Sequence, residues 1–313
     1  MDNKIIRSCI NCGADDYKAL FSYTYNFMTQ VRQSTPEYME KVGWSKDVTS
    51  TIVKCHTCGF NYIRDVFPNT ERQKPIPTLE EISRMYTYKR FRGFDEENWL
   101  VRNLVFFAVQ RQKRDIKFLD FGAGSGTISN AARVYGVRDV IAYDPYSGYG
   151  AEEYKKFNFP GIYFTRNRDD LYKWAPFDIA VCLGVIEHTL NPRRELEIMY
   201  EIMSKGGFLY ISNPLMDLDK ELGHLVKAKS IKKKDKISHY HPNHLNYMTP
   251  RQFLNILEGV GFKITPMVFS PAVPFRFRWD KGYLIRDIKF TLLKIFCFFR
   301  LPYKRYIFIA EKC

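Results

Sequence analysis

The sequence lacks long apolar segments, and it has no excess of acidic residues. Eighteen uninterrupted apolar residues occur nowhere, and the stretch from Met1 to Arg7 lacks the basic and then apolar pattern of a secretory signal. We therefore expect a cytoplasmic protein. Lysine and arginine number 48 against 34 acidic residues, a formal net charge of +14. This balance favours an anionic partner: a nucleic acid, a membrane surface or a phosphorylated small molecule.

The apolar content excludes a largely disordered chain. Hydrophobic residues make up 45% and aromatic residues 16% of the 313 residues. This length is enough to bury a large core, either in one large domain or in a domain with a small additional module.

Cysteine occurs in two closely spaced pairs in the first sixty residues. Each pair has the pattern CxxCG, and about forty residues separate Cys9 and Cys12 from Cys55 and Cys58. In a reducing compartment such pairs are typical of metal sites rather than of disulfides. Four thiolates complete a tetrahedral Zn²⁺ site with no open position. We therefore expect a structural zinc ion in a zinc-ribbon-like module over residues 1–75.

A glycine-rich turn follows a short apolar run in the middle of the chain. The run covers residues 116–121, glycine stands at Gly122, Gly124 and Gly126, and apolar residues recur at helical spacing from Ile128. This order predicts a strand, a tight turn and a helix. Because glycine has no Cβ, it accepts positive φ and lets the backbone lie against a ligand beside the N–H groups of the helix start.

A second apolar run, residues 140–143, ends in Asp144. Open α/β folds hold a nucleoside with such a pair of elements, because the acid at the end of the second strand accepts hydrogen bonds from the ribose hydroxyls. The glycine spacing is GxGxG, whereas the dinucleotide pattern GxGxxG requires Gly or Ala where Thr127 stands. The sequence therefore predicts a nucleoside site that is not of the standard dinucleotide form.

With Asp120 before it, the GxGxG turn resembles motif I of the class I S-adenosylmethionine-dependent methyltransferases. The resemblance implies that Asp120 and the three glycines lie near the methionine part of the cofactor and that Asp144 contacts the ribose. In related methyltransferases a carboxylate after the third strand contacts the adenine amino group. That strand is predicted at residues 161–165, so Asn167 or Asp169 is the expected contact.

A strand predicted at residues 177–183 leads into Glu187 and His188, and the turn Ser204-Lys-Gly-Gly207 follows. This order is similar to the VxEH and KPGG signatures of methyltransferases that modify sugars and quinones. Both side chains fall where the strand ends of an open α/β sheet meet the ligand crevice. We therefore expect Glu187 and His188 in the site, with His188 as the second candidate for a catalytic base.

The segment His244-Leu-Asn-Tyr-Met-Thr-Pro250 is also similar to this group, in which the loop forms one wall of the acceptor pocket. In nucleotide-sugar C-methyltransferases with an N-terminal zinc domain, a Glu-His pair stands here and its His acts as the base. Here Asn243 precedes His244, so the His is retained and the Glu is not. His244 is the first candidate for the base, since imidazole titrates near neutral pH, and both O- and C-methylation stay open.

Three histidines, His239, His241 and His244, lie within six residues. No cysteine or carboxylate near them in the sequence completes a set of metal ligands, so we do not expect a metal site there.

Together the elements predict an α/β fold, a Rossmann-like seven-stranded methyltransferase sheet with helices on both faces. Strands at residues 208–212, 262–269 and 305–310 complete the sheet, the last two as the antiparallel sixth and seventh strands that the resemblance implies. The expected organisation is the zinc module, a helical linker or lid at residues 76–115, and a methyltransferase domain at residues 116–313 with insertions at 215–241 and 271–304.

The resemblance implies methyl transfer to a small anionic acceptor, a nucleotide sugar or a sugar of a surface polysaccharide or of its lipid-linked precursor. An RNA methyltransferase that uses the zinc module and the basic insertions is the alternative, and a binding protein without catalysis is a third hypothesis. Aromatic and basic residues surround an apolar stretch at residues 275–304, which fits peripheral membrane contact or packing on the protein's own sheet.

Overall fold

The protein is described here by a computed structural model, which covers residues 5–24, 49–66, 101, 105, 115–124, 126–145, 160–213, 244–265 and 307–313. Most of the predicted linker or lid, both predicted insertions, His239 and His241 lie outside the described residues. In chain order the strands are β1 (Ile5–Ile6), β2 (Tyr17–Thr24), β3 (Thr49–Cys55), β4 (Asn61–Ile63), β5 (Asp65–Val66), β6 (Lys117–Phe121), β7 (Asp139–Tyr143), β8 (Ile162–Thr165), β9 (Phe177–Leu183), β10 (Met203–Ser212), β11 (Asn246–Tyr247), β12 (Phe262–Thr265) and β13 (Ile307–Lys312). The helices of the described residues are α1 (Thr127–Val134), α2 (Asp169–Trp174), α3 (Pro192–Ile202) and α4 (Pro250–Val260), and a 3₁₀ turn spans Ile186–His188.

A seven-stranded sheet forms the centre of the fold, in the order β12-β13-β10-β9-β6-β7-β8. The five strands from β10 to β8 run parallel, whereas β13 lies antiparallel between β10 and β12. The predicted Rossmann-like seven-stranded sheet is therefore confirmed. Of the two final strands predicted to be antiparallel, only β13 runs against the other strands, because β12 pairs antiparallel with β13 and so has the direction of β10. No described helix is long and apolar enough to cross a membrane.

Helices cover both faces of this sheet, which is why its parallel strands are nearly continuous apolar runs. On one face, Ile128 and Ala131 of α1 pack in a buried cluster with Phe118 of β6. On the other face, Leu196 of α3 and Phe253 of α4 pack with residues of the opposite side of the strands. The carboxyl ends of β6, β7, β9 and β10 consequently meet at one edge, where open sheets bind ligands.

A second, four-stranded sheet has the order β11-β4-β3-β2. Strands β2, β3 and β4 come from the N-terminal module, whereas β11 belongs to the segment that follows His244. Asn246 pairs with Tyr62, and Tyr247 pairs with Asn61. The acceptor-loop segment of the predicted methyltransferase domain is therefore an edge strand of the zinc module's sheet.

The helix α4 begins three residues after the end of this edge strand. Thr249 accepts a hydrogen bond from the Gln252 N–H at 3.3 Å, and the Gln252 side chain accepts from the Thr249 N–H at 2.9 Å. This reciprocal capping box satisfies two backbone donors at the helix start. The Gln252 side chain also donates to the Gly59 carbonyl at 2.9 Å, so the helix start is bonded to the second cysteine knuckle.

Candidate active site and metal centre

The glycine turn links β6 to α1 in a tight left-handed path. Gly122, Gly124 and Gly126 have φ values of 81°, 48° and 66°, in the region that glycine adopts without strain. The N–H groups of Gly122 and Ala123 both donate to the Tyr143 carbonyl, at 2.8 and 3.0 Å. These bonds hold the turn against the end of β7, where the ribose is expected.

Both carboxylates predicted around this turn are held by hydrogen bonds. Asp144 accepts from the Gly124 N–H at 2.8 Å, which fixes its carboxylate beside the glycine loop. Asp120 is buried, and its Oδ2 accepts from the N–H and the hydroxyl of Ser129 in α1, at 3.0 and 2.7 Å. Asp120 thus anchors the first turn of the helix whose start faces the expected cofactor.

The two candidates for the adenine contact lie in the turn between β8 and α2. Asn167 and Asp169 are both exposed, and the Asn167 side chain accepts from the Asp169 N–H at 3.1 Å. The turn is positioned by Thr165, whose hydroxyl accepts from the Asn167 N–H at 2.9 Å and whose carbonyl accepts from the Asp144 N–H at 3.2 Å. The structure therefore brings Asn167 and Asp169 to the same edge as Asp144.

An ion pair behind this turn ties it to α3. Arg168 donates to both carboxylate oxygens of Glu195 at 2.9 Å. Burial raises the pKa of the Glu195 carboxyl, although the guanidinium opposes the rise. The bidentate contact fixes the backbone between Asn167 and Asp169.

The residues predicted for the acceptor side lie in the 3₁₀ turn after β9 and in the segment before β11. Glu187 is 2% exposed, and its Oε1 lies 3.8 Å from Nε2 of the half-buried His188. The His244 ring meets the His188 ring edge-on, with 4.8 Å between centroids. Each of the three residues offers one possible metal-ligand atom, a carboxylate oxygen or an imidazole nitrogen, and these atoms lie within 4.8 Å of one another. This arrangement suits proton transfer or the binding of a cation.

This grouping corrects the expectation that no carboxylate lies near His244. The sequence around the histidine cluster contains no acidic partner, but the fold brings Glu187 and His188 to His244 from the end of another strand. Backbone pairing causes the approach, because the Leu245 N–H donates to the Glu187 carbonyl at 2.7 Å.

The glycine turn and the 3₁₀ turn are in direct contact. A Cβ added at Gly122 would overlap Cγ2 of Val185, and the Val185 carbonyl accepts from the His188 N–H at 2.9 Å. The expected cofactor side and the acceptor side are thus adjoining walls of one site.

Comparison with protein families gives one decisive match. The profile of the family described as "Methyltransferase domain" matches residues 90–266 of this chain, more than half of its length. The chain belongs to this methyltransferase family. This match agrees with the methyltransferase family that the motif order predicted.

Individual relatives of this methyltransferase are distant. The tRNA U34 carboxymethyltransferase of Helicobacter acinonychis is 25% identical over 109 residues, which cover 31% of this chain and 40% of that protein. The chain thus spans less than half the length of the curated relatives that it matches. The plantazolicin methyltransferase BamL, solved with a triazolic desmethylPZN analog and SAH, has a TM-score of 0.46 and 14% identity, with 75% of this chain and 92% of that chain covered. A complex of the Haloferax volcanii Trm112 methyltransferase activator with a methyltransferase has a TM-score of 0.43 and 13% identity, covering 74% and 97%.

The four cysteines of the methyltransferase's N-terminal module converge on one point. The Sγ atoms of Cys9 and Cys58 lie 3.5 Å apart, those of Cys12 and Cys55 lie 3.6 Å apart, and all four lie within 4.8 Å of one another. Zn–S bonds of about 2.3 Å place the sulfurs of a tetrahedral site roughly 3.8 Å apart. The donor set therefore fits a structural zinc ion, with no ligand position left for substrate.

The thiols of this cluster differ in pKa: burial raises the pKa of Cys9 and of Cys12, whereas Cys55 is shifted towards the thiolate that a metal needs. Burial alone would raise the pKa of Cys55, but hydrogen bonds from the N–H groups of Cys58 and Thr57 and from the neighbouring thiols bring it down to about 7. None of the four cysteines forms a disulfide.

Three buried polar residues near the candidate site carry no functional signal in the sequence. Arg7 and Asn246 are buried and bonded to each other at 2.9 Å across the module boundary. Asn213 follows β10 at the carboxyl edge and is 4% exposed, and neither polar atom of its side chain has a hydrogen-bond partner in the part of the chain that the structure describes. Only the apolar run before Asn213 could have signalled its place at a strand end, and no local pattern marks the other two.

We predict that Gly122→Ala weakens cofactor binding at least tenfold, because the new methyl group overlaps Val185 and the residue keeps a positive φ. Calorimetric titration with S-adenosylhomocysteine measures the effect. Gly136→Ala is the matched control, since it also has positive φ but no heavy atom within 4 Å of the added Cβ. Equal affinities for the two variants would contradict the prediction.

We predict one zinc ion per chain and its loss in Cys12→Ser, because a hydroxyl is a far weaker zinc ligand than a thiolate. Plasma emission spectrometry gives the metal content, and thermal melting gives the accompanying destabilisation. Cys313→Ser is the control, as Cys313 is exposed and lies apart from the cluster. Equal zinc content in both variants would show that the four thiols do not hold the metal.

Proposed function

We propose that this enzyme transfers a methyl group from S-adenosylmethionine to a small anionic acceptor, with His244 as the base that removes the acceptor's proton. The acceptor class is a nucleotide sugar, or a sugar of a surface polysaccharide or of its lipid-linked precursor, methylated on oxygen or carbon. The observation that carries the proposal is the convergence of Glu187, His188 and His244 beside the glycine turn.

The cofactor's place in this proposal follows the carboxyl edge of the sheet. The three glycines and Asp120 hold the methionine side, Asp144 binds the ribose, and Asn167 or Asp169 contacts the adenine edge. The support is that hydrogen bonds join these residues along β6, β7 and β8 in that order. Zinc, in the four-cysteine cluster, is structural.

Methyl transfer from a sulfonium is an in-line displacement that needs alignment and, for a hydroxyl or an acidic C–H acceptor, removal of a proton. His244 takes this proton, and His188 is the second candidate. Glu187 supplies a negative charge beside the imidazoles and favours the imidazolium that proton transfer creates. The carboxylate that the resemblance expects beside His244 in the sequence thus comes from Glu187 in space.

A polar acceptor also fits Asn213. Its buried amide offers both a donor and an acceptor, and the preceding Ser212 carbonyl accepts from the Gly184 N–H at 2.9 Å. A Cβ at Gly184 would lie 3.5 Å from Oε1 of Glu187, so Asn213 follows the strand end next to the catalytic cluster. We propose that it binds a hydroxyl or carbonyl group of the acceptor.

Methylation of tRNA is the alternative, and one observation favours it: the curated relatives that match part of the chain are tRNA U34 carboxymethyltransferases. The formal charge of +14 suits either anionic acceptor. The segment 275–304, which fits either peripheral membrane contact or packing on the protein's own sheet, lies outside the described residues. Cytoplasmic placement, with or without contact at the inner face of the membrane, stays a prediction.

Incubation with methyl-labelled S-adenosylmethionine identifies the acceptor class. We expect label to enter a compound in a panel of nucleotide diphosphate sugars or an extract of lipid-linked oligosaccharide. Label in total tRNA instead, with binding that falls steeply as salt rises, would replace this proposal with the RNA alternative.

We predict that His244→Ala lowers the rate of methyl transfer by about 10² or more, the usual contribution of a positioned base. Affinity for S-adenosylhomocysteine should change less than about twofold, because His244 lies on the acceptor side. His56→Ala, a change at an exposed histidine, should leave both values unchanged. Full activity of His244→Ala would remove His244 from the mechanism and leave His188 as the candidate.

We predict that Asn213→Ala raises the acceptor KM about tenfold without lowering the melting temperature. A buried amide with no partner contributes nothing to stability, so its loss has no folding cost. Asn246→Ala is the contrasting variant, because that buried amide makes several hydrogen bonds and its removal should destabilise the fold. Destabilisation of Asn213→Ala with an unchanged KM would refute the assignment.

A further inference from the structure

We propose that Arg7 and Asn246 are positioning residues that hold His244 against Glu187 and His188, which makes the zinc module a working part of the acceptor side. The inference rests on the proposed function for the role of His244. Three sets of contacts among the described residues support it: those of the Arg7 guanidinium, those of the Asn246 side-chain amide and those of the Leu245 backbone.

Arg7 reaches from the zinc module into the methyltransferase domain. Its side chain is buried, and its guanidinium donates to the carbonyls of Ile63 at 3.1 Å and Leu245 at 3.4 Å. It also donates to the carbonyl of Leu190 at 2.8 Å and to Oδ1 of Asn246 at 2.9 Å. One planar group thus fixes β4, the segment after His244 and the loop after His188 relative to one another.

Asn246 continues this connection to the catalytic turn. Its Nδ2 donates to the carbonyls of Ile186 at 3.1 Å and Thr189 at 2.7 Å, which lie on either side of Glu187 and His188. At 1% exposure the amide has no water to replace these bonds. The Asn246 side chain therefore links the guanidinium to the turn that carries both catalytic candidates.

The backbone of Leu245 completes the link next to His244. Its carbonyl accepts from the Ile63 N–H at 2.9 Å, and its own N–H donates to the Glu187 carbonyl at 2.7 Å. The strand that contains Ile63 follows the second knuckle, where the Cys55 N–H donates to the Phe60 carbonyl at 2.9 Å. A short series of backbone hydrogen bonds thus connects the second cysteine knuckle of the zinc module to the residue that follows His244.

The position of His244 affects the rate because a base removes the acceptor's proton only from within hydrogen-bond reach. A displacement of about 1 Å can lower a rate about 10²-fold. His244 precedes a strand of only two residues, which cannot fix its own position. The buried bonds to Arg7 and Asn246 supply the constraint.

The test compares Arg7→Met with Arg64→Met in the full-length, zinc-loaded protein. Arg64 belongs to the same module, but it stacks on Tyr17 at 4.6 Å and pairs with Asp65 within that module. Imidazole resonances of ¹⁵N-histidine protein report on His188 and His244 without any acceptor, and His188→Ala and His244→Ala assign them among the six histidines. Titration with S-adenosylhomocysteine and zinc analysis report on the remainder of the fold.

In Arg7→Met we expect the His188 and His244 resonances to shift, while zinc stays at one ion per chain and affinity for S-adenosylhomocysteine stays within about twofold. With an acceptor that the wild-type enzyme methylates, kcat of Arg7→Met should fall about 10- to 100-fold. In a protein that already carries His244→Ala, the further change Arg7→Met should alter kcat little. Arg7→Lys should recover part of the loss. Asn246→Asp, which keeps an acceptor for Arg7 but removes the Nδ2 donor, should shift the same resonances.

Unmoved His188 and His244 resonances in folded Arg7→Met would overturn the inference. Loss of zinc or of cofactor affinity in that variant would also overturn it, because Arg7 would then support the fold as a whole. Failure to find an acceptor counts only against the proposed function, since the resonances are measured without one.

Discussion

The two sides of the active site meet where Gly122 faces Val185, and the space between them does not admit a methyl group. This close approach lets the glycine loop lie flat at the end of β6 while the 3₁₀ turn begins at the end of β9. The Val185 carbonyl also accepts from the His188 N–H, so the residue that packs on the glycine turn is bonded to one of the proposed catalytic residues.

The zinc module has a different relation to catalysis from the one its sequence indicates. A separate ribbon at the N-terminus would suit capture of nucleic acid, but this ribbon shares its sheet with the acceptor segment through β11. Its buried residues, including Phe60 and Tyr62, pack in the same cluster as Met248 and Phe253. The described side of the ribbon is thus in contact with the protein's own catalytic domain.

Local patterns in the sequence predicted the strands, turn and helix that carry the proposed cofactor side. The run before Gly122, the glycine spacing and the acid at Asp144 lie close together in the chain, and apolar runs of the right length marked the strands of the large sheet. Both cysteine pairs were equally readable, because ligand spacing alone brings thiolates together. The family match then confirmed the class of enzyme.

The acceptor side could not be read in this way, because its parts come from distant positions. A backbone bond at Leu245 brings His244 next to Glu187, and Arg7 bonds to Asn246, 239 positions further along the chain. A two-residue strand such as β11 leaves no periodic signal in the sequence. Asn213 stands out only in the structure, because its buried side-chain amide has no hydrogen-bond partner among the described residues. Such contacts are products of tertiary packing, for which sequence spacing gives no guide.

The pairing of Tyr62 with Asn246 also sets an order of events during synthesis. Strand β4 leaves the ribosome long before β11, so the ribbon first exists with an open edge, the kind of edge that invites pairing with other chains. Zinc can bind at this early stage, because all four cysteines have already been made. The thiol cluster that fits a metal therefore precedes, in the order of synthesis, the segment that covers this edge of the sheet.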